Sequence, residues 1–206
     1  KSGDLIQIGD QQLRFLGSSD PADFQSTLGD RTLIEVQSRD ALLLVSDIQG
    51  FTSLSEKLEP DQLAPIIGTW YSETERALET HGASLDKFIG DCVLAYWLNP
   101  TPDTRLAAIK TAVAMQAVCQ QVQQTHQDIL AKVGLSFKTG AALHLGPVAY
   151  GAMSASEFTL LGDAVNLAFR LESLTREFDK QILVSGEFLH SWDHGQQFCE
   201  ACGSRQ

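Results

Sequence analysis

The chain has 206 residues, 43% of them hydrophobic and 20% charged, with a formal net charge of −11. That is the composition of one globular domain with some extra length, able to bury a core without disulfides or metal staples. No apolar run approaches the roughly 20 residues of a membrane helix, so insertion of this segment into a membrane is not expected. The acidic balance argues against non-specific nucleic-acid binding. It leaves nucleotide binding open, because divalent cations supply positive charge locally.

The start, K-S-G-D-L-I-Q-I, lacks the charged-then-apolar layout of a signal peptide. Residues 1–17 alternate apolar and polar residues around a Gly-Asp turn and predict a hairpin. Residues 18–39 are polar and rich in Ser, Asp and Gly, and read as a linker with one turn of strand at Thr32–Val36. The main domain, residues 40–206, opens with a buried strand over Leu42–Ile48. A helix starts at Ser53–Leu58 and restarts at Pro60–Asp61, running to His81 with Leu63, Ile66, Ile67, Trp70, Tyr71, Ala77 and Leu78 near helical spacing. Gly82 ends it. Ser84–Ile89 and Cys92–Trp97 flank the dipeptide G-D, the signal of a tight hairpin. A long helix over Pro102–His126 follows, then strands Leu135–Leu145 and Val148–Ala152 around G-P, a strand at Phe158–Leu161, a helix over Asp163–Phe178 and a strand at Ile182–Ser185. The predicted class is α+β, a ferredoxin-like βαββαβ core with extra strands.

The four cysteines are Cys92, Cys119, Cys199 and Cys202. One C-x-x-C without a second pair is a weak zinc signal, so they read as reduced thiols of a cytoplasmic protein.

In such a core the first and third strands are neighbours, so Asp47 at the end of the first and Asp91 in the turn before the third converge. A carboxylate at the end of a buried strand is costly unless something pairs with it. A shared divalent cation would satisfy both, and oxygen-only ligation completed by substrate phosphates suits Mg²⁺ or Mn²⁺. The plainer alternative has Asp47 capping the next helix and Asp91 merely making a turn. Between them, I-Q-G-F-T-S brings the backbone N–H groups of Gly50, Phe51 and Thr52 to a helix start, a cradle for phosphate oxygens.

Three stretches, S-D-I-Q-G-F-T-S-L-S-E, K-F-I-G-D-C-V-L-A and F-T-L-L-G-D-A-V-N-L-A-F-R-L-E, resemble the signature blocks of the class III nucleotidyl cyclase catalytic domain, in the family's order and at its approximate spacing. The resemblance runs from about Ala41 to the C-terminus. It implies that Asp47, the Ile48 carbonyl and Asp91 bind two Mg²⁺ or Mn²⁺ ions per active site. It implies that Lys87 and Thr159 select the purine, and that Asn166 and Arg170 act on the transition state. Thr at the second purine position is the mark of a bacterial-rich subgroup in which bicarbonate stimulation occurs. All six side-chain positions hold competent residues, where a degenerate cyclase would have lost at least one.

The chemistry fits these roles. Lys87 can only donate, which suits the N1 acceptor of adenine, while Thr159 can accept from the 6-amino group. Guanine presents N1–H to Lys87, a mismatch of a few kcal/mol, so the expected substrate is ATP. Asn166 and Arg170 are four apart on a helix and share a face. Arg170 would meet charge growing on the α-phosphate. The resemblance also implies a homodimer with shared sites, each taking metal residues from one subunit and purine and transition-state residues from the other.

The expected activity is thus adenylate cyclase, with a catalytically silent nucleotide-binding domain or a guanylate-selective cyclase as alternatives. A diguanylate cyclase would carry G-G-D/E-E-F where Ile89-Gly90-Asp91-Cys92 stands, and a phosphohydrolase would need a water-activating base that the sequence does not offer. The final C-G-S-R-Q lacks the family's further strand, so the domain reads as truncated there, and Arg205 is a poor substitute for the basic residue that strand often carries. Residues 1–17 also resemble the last hairpin of a forkhead-associated domain, which implies a regulatory domain elsewhere in the native chain. Lys138 reads as a solvated strand residue, and His144 as a satisfied core or edge histidine.

Overall fold

The computed structural model describes residues 5–8, 11–14, 36–152 and 158–202. Strands β1 (Leu5–Ile8) and β2 (Gln11–Arg14) pair antiparallel as a two-stranded sheet of their own. This is the hairpin expected in residues 1–17.

The main sheet is built on β3 (Val36–Ile48), with β4 (Ser84–Ile89), β5 (Cys92–Leu98), β6 (Thr139–Ala152), β7 (Phe158–Leu161) and β8 (Ile182–Val184). Its order is β4-β5-β3-β6-β7, with β8 added parallel to the start of β6. The βαββαβ portion has the ferredoxin-like order, in which β5 inserts between β3 and β4 and β6 lies on the other flank of β3. As the central strand, β3 is buried on both faces, which is why Ala41–Val45 is a continuous apolar run rather than an alternating one. Leu42, Leu44 and Ile48 point to one face, and Ala41, Leu43 and Val45 to the other. Truncating Leu43 to Ala there would cost about 2–5 kcal/mol.

Helices α1 (Phe51–Lys57), α2 (Pro60–Thr80), α3 (Pro102–Thr125) and α4 (Gln127–Lys132) supply the core of the Leu42 face. In α2 the buried residues Ile66, Trp70, Thr74, Ala77 and Leu78 form one stripe at helical spacing. Glu59 and Gln62 form its capping box, with Pro60 in the first turn. Thr101 and Thr104 do the same for α3. The other face is covered by α5 (Asp163–Glu177), whose Ala164 and Ala168 pack with Leu43 and Val45. Two small residues on that stripe let the helix lie close to the sheet. A short α6 (Gly186–Leu189) buries Phe188, and a turn of 3-10 helix over Gly195–Phe198 ends the order.

Three expectations need correcting. The first core strand starts at Val36 rather than Leu42, inside the stretch read as linker, because the far half of β6 reaches Gly151 and pairs with it. Gln37–Asp40 are exposed, so they carry no apolar signal. Second, Leu135–Lys138 are not strand, and the two strands read around Gly146-Pro147 are one, paired with β3 along its whole length. Pro147 is tolerated because it lies between the residues that pair with β8 and those that pair with β7, where β6 has a neighbour on one side only. Third, α4 and α6 were not foreseen. They are too short to show a periodicity. Arg205 and the residues after Cys202 lie outside the described residues.

Candidate active site

The C-terminal end of β3 and the N-terminal end of β5 lie side by side, with Asp47 opposite Cys92. The hairpin before β5 turns in two residues, Gly90 and Asp91, and Gly90 takes a positive φ of 61° that favours glycine. The Ile48 N–H donates to the Asp91 carbonyl at 3.1 Å, which locks the turn to the strand end. The Asp47 and Asp91 carboxyl groups meet there. Asp47 does not cap the following helix. The N-cap of α1 is Gly50, in the left-handed region at φ 74°, and no side chain caps it.

The strand end gathers more charge than the two aspartates. Glu172, on α5 and 5% exposed, lies near enough to act on Asp47. Its approach depends on Gly140, the β6 partner of Asp47, because a Cβ at that position would run into the Glu172 carboxylate and the Thr175 hydroxyl. Burial first, then Asp91 and Glu172, push the Asp47 carboxyl up to about 7. Arg176 pulls the other way through an ion pair, Nη2 to Asp47 Oδ2 at 2.6 Å, and does not offset the three raising influences. Burial also raises Glu172, and together with the same acids it raises Cys92 to about 12, leaving that thiol inert.

A site with this surplus of buried negative charge fits a cation. The groups that would hold it, the Asp47 and Asp91 carboxylates and the Ile48 carbonyl, are all oxygen donors. No cluster of three or more His, Cys, Asp or Glu suited to a metal occurs among the described residues. Two carboxylates and one carbonyl are fewer oxygens than the roughly six that Mg²⁺ or Mn²⁺ takes, so water or other oxygens would complete the shell.

Tyr71 of α2 pins the hairpin from the helix side. Its hydroxyl donates to the Gly90 carbonyl, and its ring stacks on Phe88 at a centroid distance of 4.0 Å. Lys87 follows in β4 and is half exposed, with its ammonium 3.4 Å from Asp86 Oδ2. Gln49 donates its N–H to the Lys138 carbonyl at 2.8 Å, so Lys138 stands beside the loop that follows Asp47 rather than within a strand. A cleft of about 420 Å³ opens there, with Lys138, Arg176 and Lys180 in its wall.

Asn166 and Arg170 are exposed on the outer side of α5, away from the Ala164–Ala168 stripe. Among the described residues no hydrogen bond or ion pair links either side chain to Asp47 or Asp91. The α5 residue that reaches Asp47 in its own chain is Arg176. Thr159 lies in β7 opposite Gly151, and its side chain is outside the described residues. The sequence brought together Asp47, Ile48 and Asp91. It missed Arg176 and Glu172, whose approach had one visible sign, a glycine at position 140 in a strand. His144 is a satisfied core residue, with Nδ1 2.9 Å from the Ser185 hydroxyl.

An antiparallel ferredoxin-like sheet with paired carboxylates at the first strand end defines a class of metal-dependent nucleotide-handling domains. Residues 34–203 match the adenylate and guanylate cyclase catalytic domain, and the chain belongs to that family, the class III cyclases. Among relatives, it is 30% identical over 152 residues to an adenylate cyclase of Anabaena cylindrica, covering 72% of this chain and 30% of that one. It therefore spans under a third of that relative's length. Among solved structures, the guanylyl cyclase Cya2 superposes with a TM-score of 0.68 at 28% identity, over 76% of this chain and 80% of that one. The adenylyl cyclase CyaB from P. aeruginosa gives 0.65 at 28% identity, over 75% and 81%. Among the described residues no helix is long and apolar enough to cross a membrane.

Proposed function

We propose that this domain converts ATP to 3′,5′-cyclic AMP and pyrophosphate at sites shared between two copies of the chain. The observation that carries the reading is the convergence of Asp47 and Asp91 at adjoining strand ends, with Lys87 four residues before Asp91 in the same hairpin. Asp47, the Ile48 carbonyl and Asp91 would hold two Mg²⁺ or Mn²⁺ ions. When bound, such ions lower the pKa of the ribose 3′-OH and stabilise charge on the phosphates.

The chain's own residues supply the rest. From the subunit that does not supply the metal residues, Lys87 donates to adenine N1, and Thr159 accepts from the 6-amino group. Gly50, Phe51 and Thr52 follow the metal-binding residues directly and face the triphosphate. From the other subunit, Asn166 hydrogen-bonds the ribose and Arg170 meets charge developing on the α-phosphate. The exposure of Asn166 and Arg170 supports this division, since among the described residues no side chain of their own chain is hydrogen-bonded or ion-paired to theirs. The 3′ oxygen attacks the α-phosphorus in line, and pyrophosphate leaves. Both kinds of cyclase occur among the relatives, so base selection rests on Lys87 and Thr159.

Product analysis with ATP and then GTP, in Mn²⁺ and in Mg²⁺, tests the reading. Cyclic AMP from ATP, lost by more than about 10²-fold in Asp91→Ala, is expected. Binding of ATP by a dimer with no cyclic product would replace it with a silent nucleotide-binding domain, and cyclic GMP in excess would reverse the base assignment.

A further inference from the structure

We propose that Asp86 is a positioning residue for purine selection: its buried carboxylate, which a bulge in β4 turns onto the Lys87 side of the sheet, holds the Lys87 ammonium against the base. The proposal rests on the reading of Lys87 given above and extends it to a residue that no sequence block singled out.

The bulge is visible in the strand register. Leu85 faces Ala95 and Lys87 faces Leu94, which leaves Asp86 as the extra residue. In a regular pleat, residues three apart point to opposite faces. Here Leu85 and Phe88 both pack on the face that holds Trp70. The two residues between them are therefore turned together onto the other face, where Tyr96 belongs to the core and feels the Asp86 charge. Strand β7, which carries Thr159, comes against β4. Both purine-reading positions thus belong to strands in contact with each other.

The depth of the two side chains differs. That of Asp86 is 3% exposed and that of Lys87 is 44% exposed, with Nζ 3.4 Å from Oδ2. The carboxylate is the floor and the ammonium reaches outward from it. Asp86 Oδ2 is buried, and the Lys87 ammonium is the cation that stands beside it. The Tyr96 hydroxyl beside it is engaged with Tyr150 and Ser84. Burial raises the Asp86 carboxyl while Lys87 lowers it, so the ammonium is the group that favours its charge.

A buried acceptor left open is costly, and the adjacent ammonium is the donor at hand. Lys has three N–H donors on a flexible four-carbon stem. With one donor directed to Asp86, a second is aimed at a fixed point, which suits adenine N1. An unanchored ammonium could swing to guanine O6, also an acceptor, and the discrimination would fall. A Thr hydroxyl at position 159 is adaptable and discriminates weakly, so the rigidity must come from the Lys87 side.

The test is steady-state kinetics of the full chain with ATP and GTP, with calorimetric binding of each nucleotide in parallel. Asp86→Asn keeps the shape and removes the charge. It is expected to raise KM for ATP about tenfold, leave kcat within about twofold, and lower the ATP-over-GTP preference by a similar factor. In a Lys87→Met background the same change is expected to do nothing further. Unchanged KM and preference in Asp86→Asn, or an equal loss in both backgrounds, would overturn the proposal. Asp86→Glu, which keeps the charge and displaces it by one methylene, covers the case in which Asn disturbs the dimer. An intermediate rise in KM supports the contact, and wild-type selectivity overturns it. A wild-type chain that forms no cyclic nucleotide overturns the catalytic reading instead, and the binding preference of Asp86→Asn then decides on Asp86.

Discussion

The two ends of the site are built differently. At the end of β3, Asp47 meets Asp91, Glu172 and Arg176 within one chain, and every member is at least partly buried or ion-paired. On α5, Asn166 and Arg170 stand on an exposed face with no such company among the described residues. The first region is electrostatically crowded and depends on its own chain. The second is presented outward. On the proposed shared-site reading, the buried half is what a subunit uses with its own metal-binding residues, and the exposed half is what it offers to its partner.

The largest effect is expected from separating the halves. Asp47→Ala and Asn166→Ala homodimers should each be inactive, while mixing them should restore roughly a quarter of wild-type activity, since half of randomly paired dimers are mixed and each has one intact site. Native mass spectrometry would verify that mixed dimers form. Mixed dimers that stay inactive would break the comparison.

A smaller effect is expected within the crowded half. Arg176 neutralises Asp47 in the absence of another cation, so Arg176→Ala should tighten Mn²⁺ binding several-fold at pH 8, measured by calorimetry without nucleotide. The gain should shrink at pH 6, because loss of the guanidinium also raises the Asp47 carboxyl further. In the wild type, protons compete for Asp47, and Mn²⁺ affinity should fall as pH drops below about 7. The metal-free fold responds in the opposite sense. The folded pKa lies above the ordinary value of 3.8, so the folded state binds a proton that the unfolded chain releases. The Asp47 contribution to stability is full below about pH 4 and is lost as pH rises through about 7. Urea midpoints across that range, compared with Asp47→Asn, would isolate it.

The smallest effect sharpens the role of the hairpin. Tyr71→Phe removes the hydroxyl that donates to Gly90 and keeps the ring stacked on Phe88. It should cost about 1 kcal/mol of stability and no more than a few-fold in activity. Tyr71→Ala, which also removes the stack, should cost several times more. Equal losses would show that the hydroxyl alone sets the turn.

Much of this was legible along the chain. The Ala41–Val45 run, the Gly-Asp turn and the capping residues before α2 and α3 are local signals, and each element formed near its expected place. Asp47 and Asp91 could be paired before any coordinates, because the βαββαβ order alone makes β3 and β5 neighbours. The exposed start of β3 was not legible, since a strand edge carrying polar residues has no periodicity in apolar content.

What the sequence determined by itself was the element order, the central strand and the spacing of Asp47, Lys87, Asp91, Asn166 and Arg170. These depend on propensity, turn chemistry and alternation over short distances. Only the tertiary structure decided that Arg176 pairs with Asp47, that Glu172 comes up behind Gly140, and that a bulge sets Asp86 beside Lys87. The first two join residues far apart in the chain through the packing of α5 on the sheet. The third is a one-residue slip in pairing, which the identities of neighbouring residues do not reveal.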